Sequence, residues 1–160
     1  MKWLWLTLLV ITLDQLTKNM AESQLILHQP QALFPGFNFT LMYNKGAAFS
    51  FLSNAGGWQR WFFVTLSTVV SIALFIWLIK AARSQTPQNH ILLAAISLVM
   101  GGAVGNLIDR ALYGQVTDFI QVYYAQYYFP AFNIADSAIT LGAGLLILDM
   151  FLEAKREKTE

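Results

Sequence analysis

Four long apolar runs dominate this sequence and limit the folds that are open to it. They cover residues 3–20, 58–80, 91–113 and 131–152. The first is slightly shorter than the roughly 20 residues that a helix needs to cross a bilayer, and the other three are long enough. The chain is 56% hydrophobic and only 12% charged, whereas about 25% of the residues in an ordinary soluble domain are charged. The sequence therefore predicts a mainly α-helical membrane protein with four transmembrane helices in a single domain, residues 1–160.

The first run has a competing interpretation as a cleaved signal peptide. Asp14, Gln15 and Lys18 directly follow its apolar core, and no A-x-A-like cleavage site precedes them. We therefore expect residues 3–20 to remain as the first membrane span. On a helix Asp14 and Lys18 share a face and can pair. Charge compensation near the membrane edge and a functional role both remain open for this pair.

The positively charged residues predict how the four spans are oriented. Cytoplasmic segments of membrane proteins are enriched in Lys and Arg. With four spans, the basic residues that fall on one face are Lys2, Lys80, Arg83, Lys155, Arg156 and Lys158. We expect that face to be cytoplasmic, with both termini on it, and segments 21–57 and 114–130 to lie outside.

Two segments between the spans have the pattern of strands. Apolar side chains occupy every second position from Phe37 to Tyr43, which is typical of a β-strand. Asn44 and Gly46 follow, and the local pattern alone favours an ordinary turn that closes a hairpin. Residues 115–119 predict a second short strand, followed by an aromatic loop that extends to Phe132.

The third run carries small and polar residues near its end. Gly101 and Gly105 are four residues apart and allow another helix to pack closely. Asn106 and Arg110 have the same spacing, so both project from one face. Asp109 is adjacent to Arg110 and is expected to neutralise part of its charge.

Two aspartates, Asp118 and Asp136, flank the aromatic loop at the outer membrane edge, with Asp136 about 5 residues inside the last span. Carboxylates are costly at this position. Two carboxyl groups that share a site can divide the roles of acid and base, because repulsion raises one pKa. Spacing alone leaves open a catalytic pair, a proton relay in a transporter and two separately compensated charges. Asp149 belongs to the opposite membrane face and is excluded.

Composition excludes several other kinds of site. The chain has no cysteine, so thiol catalysis, disulfides and thiolate metal sites are excluded. His28 and His90 fall on opposite sides of the membrane without a zinc-binding spacing, and no G-x-S-x-G motif occurs. A net charge of +1 gives no reason to expect a nucleic-acid partner. We expect neither a metal nor another cofactor.

Five short blocks resemble a known family in their order along the chain. They are DQLTK at 14–18, NKGAAF at 44–49, GNLIDR at 105–110, VTDF at 116–119 and FNIADS at 132–137. They are similar to the sequence blocks of the bacterial lipoprotein signal peptidases, also called signal peptidase II. No motif position departs from the family pattern.

The resemblance implies an aspartic endopeptidase of the bacterial inner membrane. It implies four transmembrane helices, with a small extracytoplasmic β-platform beside an active site at the outer membrane edge. The substrates would be prolipoproteins whose cysteine carries diacylglycerol, cut on the amino side of that cysteine. Membrane lipid and globomycin-type inhibitors are the other implied partners. Asp118 and Asp136 take the catalytic positions. The supporting positions are Asp14, Lys18, Asn44, Gly46, Asn106, Arg110, Asn133 and Ala135.

Overall fold

The computed structural model describes residues 2–46, 56–83 and 89–157, with side chains up to residue 155. The helices are α1 (Trp3–Gln24), α2 (Trp58–Arg83), α3 (His90–Tyr113) and α4 (Ile134–Glu157). The strands are β1 (Gln31–Phe34), β2 (Phe37–Asn44), β3 (Val116–Tyr124) and β4 (Tyr127–Tyr128). The second half of the NKGAAF block lies outside the described residues.

Three of the four predicted spans are long and apolar enough to cross a membrane, namely α2, α3 and α4. The chain is thus a multi-pass membrane protein. Helix α1 is not among them, because its C-terminal half carries Asp14, Lys18 and Glu22. Asp14 and Lys18 are buried inside the protein, at 0% and 3% exposure. Hydropathy therefore shows three spans and does not show the fourth.

Helix α3 is the central element, and α1, α2 and α4 all pack against it. Its N-cap residue is Asn89, whose side chain accepts a hydrogen bond from the backbone N–H of Leu92 at 3.2 Å. It ends at Gly114, whose φ of 75° is the left-handed conformation that favours glycine at a helix C-terminus. Its N-terminal half forms an apolar core with α2. That core contains Leu78, Leu93, Ile96 and Met100.

The glycines of α3 bring neighbouring backbones into direct contact. A Cβ added at Gly101 would lie 2.8 Å from Cβ of Val10 in α1. Gly102, which the sequence did not single out, packs directly on the backbone carbonyl of Ala135 in α4. The close packing predicted for Gly101 is confirmed. Gly101 lets α1 approach α3, and Gly102 lets α4 approach it.

The ends of the bundle differ in character. The ring of Trp3 lies 5.8 Å from that of His90, and the side chain of Asn89 donates to Asp149. Arg83 lines the same small cavity as Trp3. The start of α1, the end of α2, the start of α3 and the end of α4 therefore meet at one end. The sheet lies at the other end.

The four strands form an antiparallel sheet in the order β1-β2-β3-β4. The first predicted strand is confirmed as β2. The second prediction was too short, because β3 continues to Tyr124 and turns back as β4. Ala125 occupies the turn with a φ of 51°, and the rings of Tyr123 and Tyr128 stack at 5.3 Å across the pair. The expected aromatic loop therefore begins as a hairpin, since cross-strand aromatic pairs stabilise the two strands.

The start of α4 also differs from the prediction. The fourth span was expected to begin at residue 131, but the helix begins at Ile134. Asp136 therefore lies in the first helical turn rather than about 5 residues inside. The preceding residues are held in an extended conformation, because Phe132 pairs with Ile120 of β3.

Candidate active site

Asp118 and Asp136 are brought together by the side chain and backbone of one residue, Asn133. Its amide nitrogen donates to Oδ1 of Asp118 at 2.7 Å. Its backbone N–H donates to Oδ2 of Asp136 at 3.3 Å. Asp118 is 3% exposed, whereas Asp136 is half-buried. The two predicted carboxyl groups are thus neighbours, and one of them is accessible.

The beginning of α4 explains the position of Asp136. Asn133 is the N-cap residue, and its side-chain oxygen accepts the backbone N–H of Asp136 at 2.9 Å. Asp136 in turn accepts the N–H of Asn133, which makes a reciprocal capping box. Ala135 lies one residue before Asp136, and its backbone N–H donates to Oδ1 of Asp14 at 2.9 Å. The helix N-terminus also favours negative charge on Asp136.

The pairing of β2 with β3 explains the position of Asp118. Met42 lies opposite Asp118, and Asn44 lies opposite Val116. Asn44 and Asp118 are therefore diagonal neighbours on one face of the sheet. The Asn44 side chain hydrogen-bonds to Asp118 and also accepts the N–H of Gly46 at 2.9 Å. The chain bends at residues 45 and 46, and the rest of the turn predicted here lies outside the described residues. Strand β2 itself pairs with β3, far along the chain.

Two residues of α3 complete the surroundings of the pair. The amide nitrogen of Asn106 donates to Oδ1 of Asp136 at 2.8 Å. One turn later, the guanidinium of Arg110 donates to the carbonyl of Gly46 at 2.8 Å and lies over the ring of Phe63 at 5.2 Å. Arg110 thus ties the end of β2 to α3, as a planar cation with several donors can do.

A buried ion network lies behind these residues. Lys18 binds Asp14 at 2.8 Å, which confirms the pairing expected from their spacing. Asp109 was expected to neutralise part of the charge of Arg110. Its ion pair is with Lys18 at 2.8 Å, and its charge acts on Arg110 less strongly than those of Asp136 and Asp118. Consecutive residues of a helix do not share a face, so Asp109 faces α1 while Arg110 faces the sheet.

Sequence reasoning missed Gln15, Asp109 and Thr117 as members of this network. Gln15 donates to Asp109 at 2.9 Å, and the backbone N–H of Thr117 donates to the same carboxylate at 3.2 Å. The signal that could have found Asp109 is its spacing of four from Gly105. A Cβ at Gly105 would meet Oδ2 of Asp14 at 2.6 Å, so this face of α3 must contact α1.

The environment of Asp118 changes its acidity. Burial first, and the negative charge of Asp136 second, raise the pKa of Asp118 to about 7. Hydrogen bonds from Asn133 and Asn44 and the charge of Lys18 act in the opposite direction. Near neutral pH the pair can therefore offer one carboxyl group as an acid and one carboxylate as a base. Within residues 2–46, 56–83 and 89–157, no three metal-binding side chains cluster to hold an ion.

The matches to known proteins extend over nearly the whole chain. The model of the family described as "Signal peptidase (SPase) II" matches residues 6–152. A lipoprotein signal peptidase of Teredinibacter turnerae is 51% identical, covering 99% of this chain and 92% of its own. One from Acinetobacter baumannii is 53% identical, covering 98% of this chain and 87% of its own.

Two solved structures, both described as bacterial membrane enzymes studied by the in meso method, are also similar. The first has a TM-score of 0.86 at 33% identity and covers 99% of this chain and 93% of its own. The second has a TM-score of 0.78 at 35% identity, with 93% and 92% covered. The likeness thus includes the helices and the sheet together.

Proposed function

The chain belongs to the signal peptidase II family of peptidases, and from this membership we propose that it removes the signal peptide from prolipoproteins by aspartic catalysis. The observation that carries the proposal is the pair of carboxyl groups, Asp118 and Asp136, joined through Asn133. The family match includes all five sequence blocks. The alternative of a proton-coupled transporter has no support among these relatives, which are peptidases.

In the proposed reaction a water molecule lies between the two carboxyl groups. The carboxylate of Asp136 takes a proton from this water as its oxygen bonds to the scissile carbonyl carbon. The protonated carboxyl of Asp118 donates towards the carbonyl oxygen, which becomes a hydroxyl in the tetrahedral intermediate. Breakdown then cleaves the C–N bond: the proton held by Asp136 passes to the leaving amine, and a hydroxyl group of the intermediate returns a proton to Asp118 as the new carboxyl group forms. The pair titrates as a unit during this cycle.

The remaining supporting residues are proposed to position the pair and the substrate. Arg110 and Gly46 hold the end of β2 beside the site. Asp14 and Ala135 hold the start of α4. Lys18, Asn44 and Asn106 contact these groups or the carboxyls themselves. None of these contacts requires a cofactor.

The sheet offers a surface for an extended substrate segment. On β3, Ile120 and Val122 lie on the same face as Asp118, because side chains alternate along a strand. Their partners across the sheet are Phe39 and Phe37. Val122 is 43% exposed. We propose that residues around the scissile bond lie along this apolar face, and that globomycin-type inhibitors occupy the same place.

The membrane placement is proposed from the packing of α1. Oγ1 of Thr7 donates to the carbonyl of Ser97 at 3.1 Å, and Gly105 contacts Asp14 about two turns later in α1. Helix α1 thus runs beside a spanning helix and is proposed as the fourth span of a single peptidase domain, residues 1–160. Four spans place both termini on one side, which is the cytoplasmic side of the inner membrane. The active site then lies at the extracytoplasmic edge.

Cysteine labelling tests this orientation, and the chain has no native cysteine to interfere. We expect Gln31→Cys and Tyr127→Cys to react with an impermeant thiol reagent on intact cells. Lys2→Cys and Lys155→Cys should react only after the membrane is permeabilised. All four side chains are exposed in the protein, so burial does not explain a difference. The reverse labelling pattern would contradict the orientation.

Matched precursors, with and without diacylglycerol, test the proposed substrate. Buried acyl methylenes contribute roughly 0.8 kcal/mol each, enough to make the lipid the main positioning group. We expect purified enzyme in detergent to cut the lipidated precursor before its modified cysteine and to leave the unlipidated precursor intact in a gel-shift assay. Equal rates would contradict lipid recognition, and no cutting of either precursor would contradict the proposed function.

A further inference from the structure

The side chain of Lys18 has every donor occupied. An ammonium group carries three donors and no acceptor. Lys18 Nζ lies 2.8 Å from Oδ2 of Asp14, 2.8 Å from Oδ2 of Asp109 and 3.0 Å from Oδ1 of Asn106. The residue is 3% exposed, so water does not substitute for these partners. Whatever atom of Asn106 faces Lys18 must therefore be an acceptor.

This requirement determines the orientation of the Asn106 amide. With Oδ1 held by Lys18, the amide nitrogen faces Oδ1 of Asp136 and donates to it at 2.8 Å. A flipped amide would direct N–H groups at the ammonium and an oxygen at the carboxylate. Both contacts would be repulsive in a buried site. Lys18 thus directs a hydrogen-bond donor to Asp136 without touching it.

The amide of Asn133 is oriented in a similar way for the other carboxyl group. Its Oδ1 accepts the backbone N–H of Asp136 at 2.9 Å, and a backbone N–H can only donate. Its nitrogen must then face away from that group, and it donates to Asp118 at 2.7 Å. Asp136 thus receives a donor from Asn106 that the Lys18 ammonium orients. Asp118 receives a donor from Asn133 that the backbone N–H of Asp136 orients.

Asp109 connects the same lysine to the backbone beside Asp118. Its Oδ2 accepts from Lys18 and also from the N–H of Thr117, the residue directly before Asp118, at 2.8 Å and 3.2 Å. The hydroxyl of Thr117 donates in turn to Glu22 of α1 at 2.6 Å. The start of β3 is thereby held against α1 and α3 at the point where Asp118 enters the site.

We propose that Lys18 and Asp109 form a positioning pair for the reaction. Lys18, through Asn106, keeps the negative charge on Asp136. Asp109, through the backbone of Thr117, holds Asp118 in place to carry the shared proton. The inference rests on the catalytic roles proposed above for the two carboxyl groups. The ionisable groups around those carboxyls are Asp14, Lys18 and Glu22 of α1 and Asp109 and Arg110 of α3. Among them, Lys18 alone donates to the amide that contacts Asp136.

The test removes the lysine together with one of its two carboxylate partners, so that the net charge of the cluster does not change. Lys18→Met alone leaves Asp14 and Asp109 buried without their cation, which is strongly destabilising. The double variant Lys18→Met/Asp109→Asn removes one positive and one negative charge, so the cluster keeps its net charge. The measurement is kcat and KM against pH for the full chain, purified in detergent and acting on the lipidated precursor.

In the double variant the Asn106 amide loses the charged donor that turns it towards Asp136 and keeps the longer hydrogen bond from Asn133 to its Oδ1, at 3.3 Å. We expect kcat near neutral pH to fall about tenfold while KM stays within about twofold, because neither residue touches the substrate. We also expect the acid limb of the kcat profile to move up by about one pH unit, since the carboxylate loses a directed donor. A change confined to folding would lower kcat equally at every pH.

Asp109→Asn alone is the matched comparison, because it retains the bond from Lys18 to Asn106. In this variant we expect kcat to fall no further than in the double variant, and the acid limb of the kcat profile to stay where it is in the wild type. Asp149→Asn, at the other end of the bundle, controls for loss of a buried carboxylate. An unmoved acid limb in the folded double variant overturns the positioning pair. The proposed function fails separately, if Asp118→Asn or Asp136→Asn stays active.

Discussion

Asp118→Asn and Asp136→Asn are each expected to abolish cleavage of the lipidated precursor while the protein still inserts and folds. An amide has the shape of a carboxyl group but can neither accept the proton of water nor supply an acid. At position 118 the amide oxygen can still accept from Asn133, as the carboxyl does at 2.7 Å. The local structure is therefore retained, and the chemistry is lost.

The size of the loss in cleavage rate tells whether the two aspartates act as one catalytic pair or as two independent charges. Because the two groups act as a unit, the double variant should be little worse than either single variant. Retention of more than about a tenth of the wild-type rate in either single variant, a loss under ~1.4 kcal/mol, would contradict the assignment. Asp149→Asn is the control, since Asp149 contacts Asn89 at the opposite end, and its rate should match that of the wild type.

Gly102→Ala is expected to damage both the fold and the activity. An added Cβ would overlap the backbone carbonyl of Ala135 and lie 2.7 Å from Cγ1 of Ile139. A backbone carbonyl cannot turn aside as a side chain can, so α4 must move as a whole. We expect a cost of about 2 kcal/mol in stability. The displacement also moves Asp136, and a shift of this kind lowers the rate roughly 100-fold.

The matched control for this change is Gly144→Ala in α4, the helix against which Gly102 of α3 packs. No atom lies within 4 Å of a Cβ at Gly144, so the substitution should be neutral or slightly stabilising. Thermal unfolding in detergent and the rate of precursor cleavage measure both effects. If the two variants behave alike, the close contact between α3 and α4 does not determine the geometry of the site.

Much of the site was predictable because its residues lie in short blocks with local constraints. The pairing of Asp14 with Lys18 follows from a spacing of four on one helix, and the structure has it at 2.8 Å. Asp118 and Asp136 could be selected because a carboxylate at a membrane edge is costly without a use. Their separation in space could not be derived, since it depends on β3 and α4 meeting at Asn133.

The elements that were misjudged share one physical cause. Residues 120–124 were expected in a loop, and α4 was expected to start at residue 131. In both cases the outcome depends on a partner distant in sequence: β3 extends because Phe37 and Phe39 pair with it, and residues before Ile134 stay extended because Phe132 pairs with Ile120. Local propensity does not contain these partners.

The sequence by itself determined that this chain is a mainly helical membrane protein, because its long apolar runs require lipid and only 12% of its residues are charged. It also determined which residues belong to the family's motifs. Only the tertiary structure decided that Asp109 forms its ion pair with Lys18 of α1 rather than with the adjacent Arg110, and that Asn133 links both carboxyl groups. The physical reason is that a buried polar group binds whichever partner the packing of helices brings within reach, and that choice is made between elements, not within them.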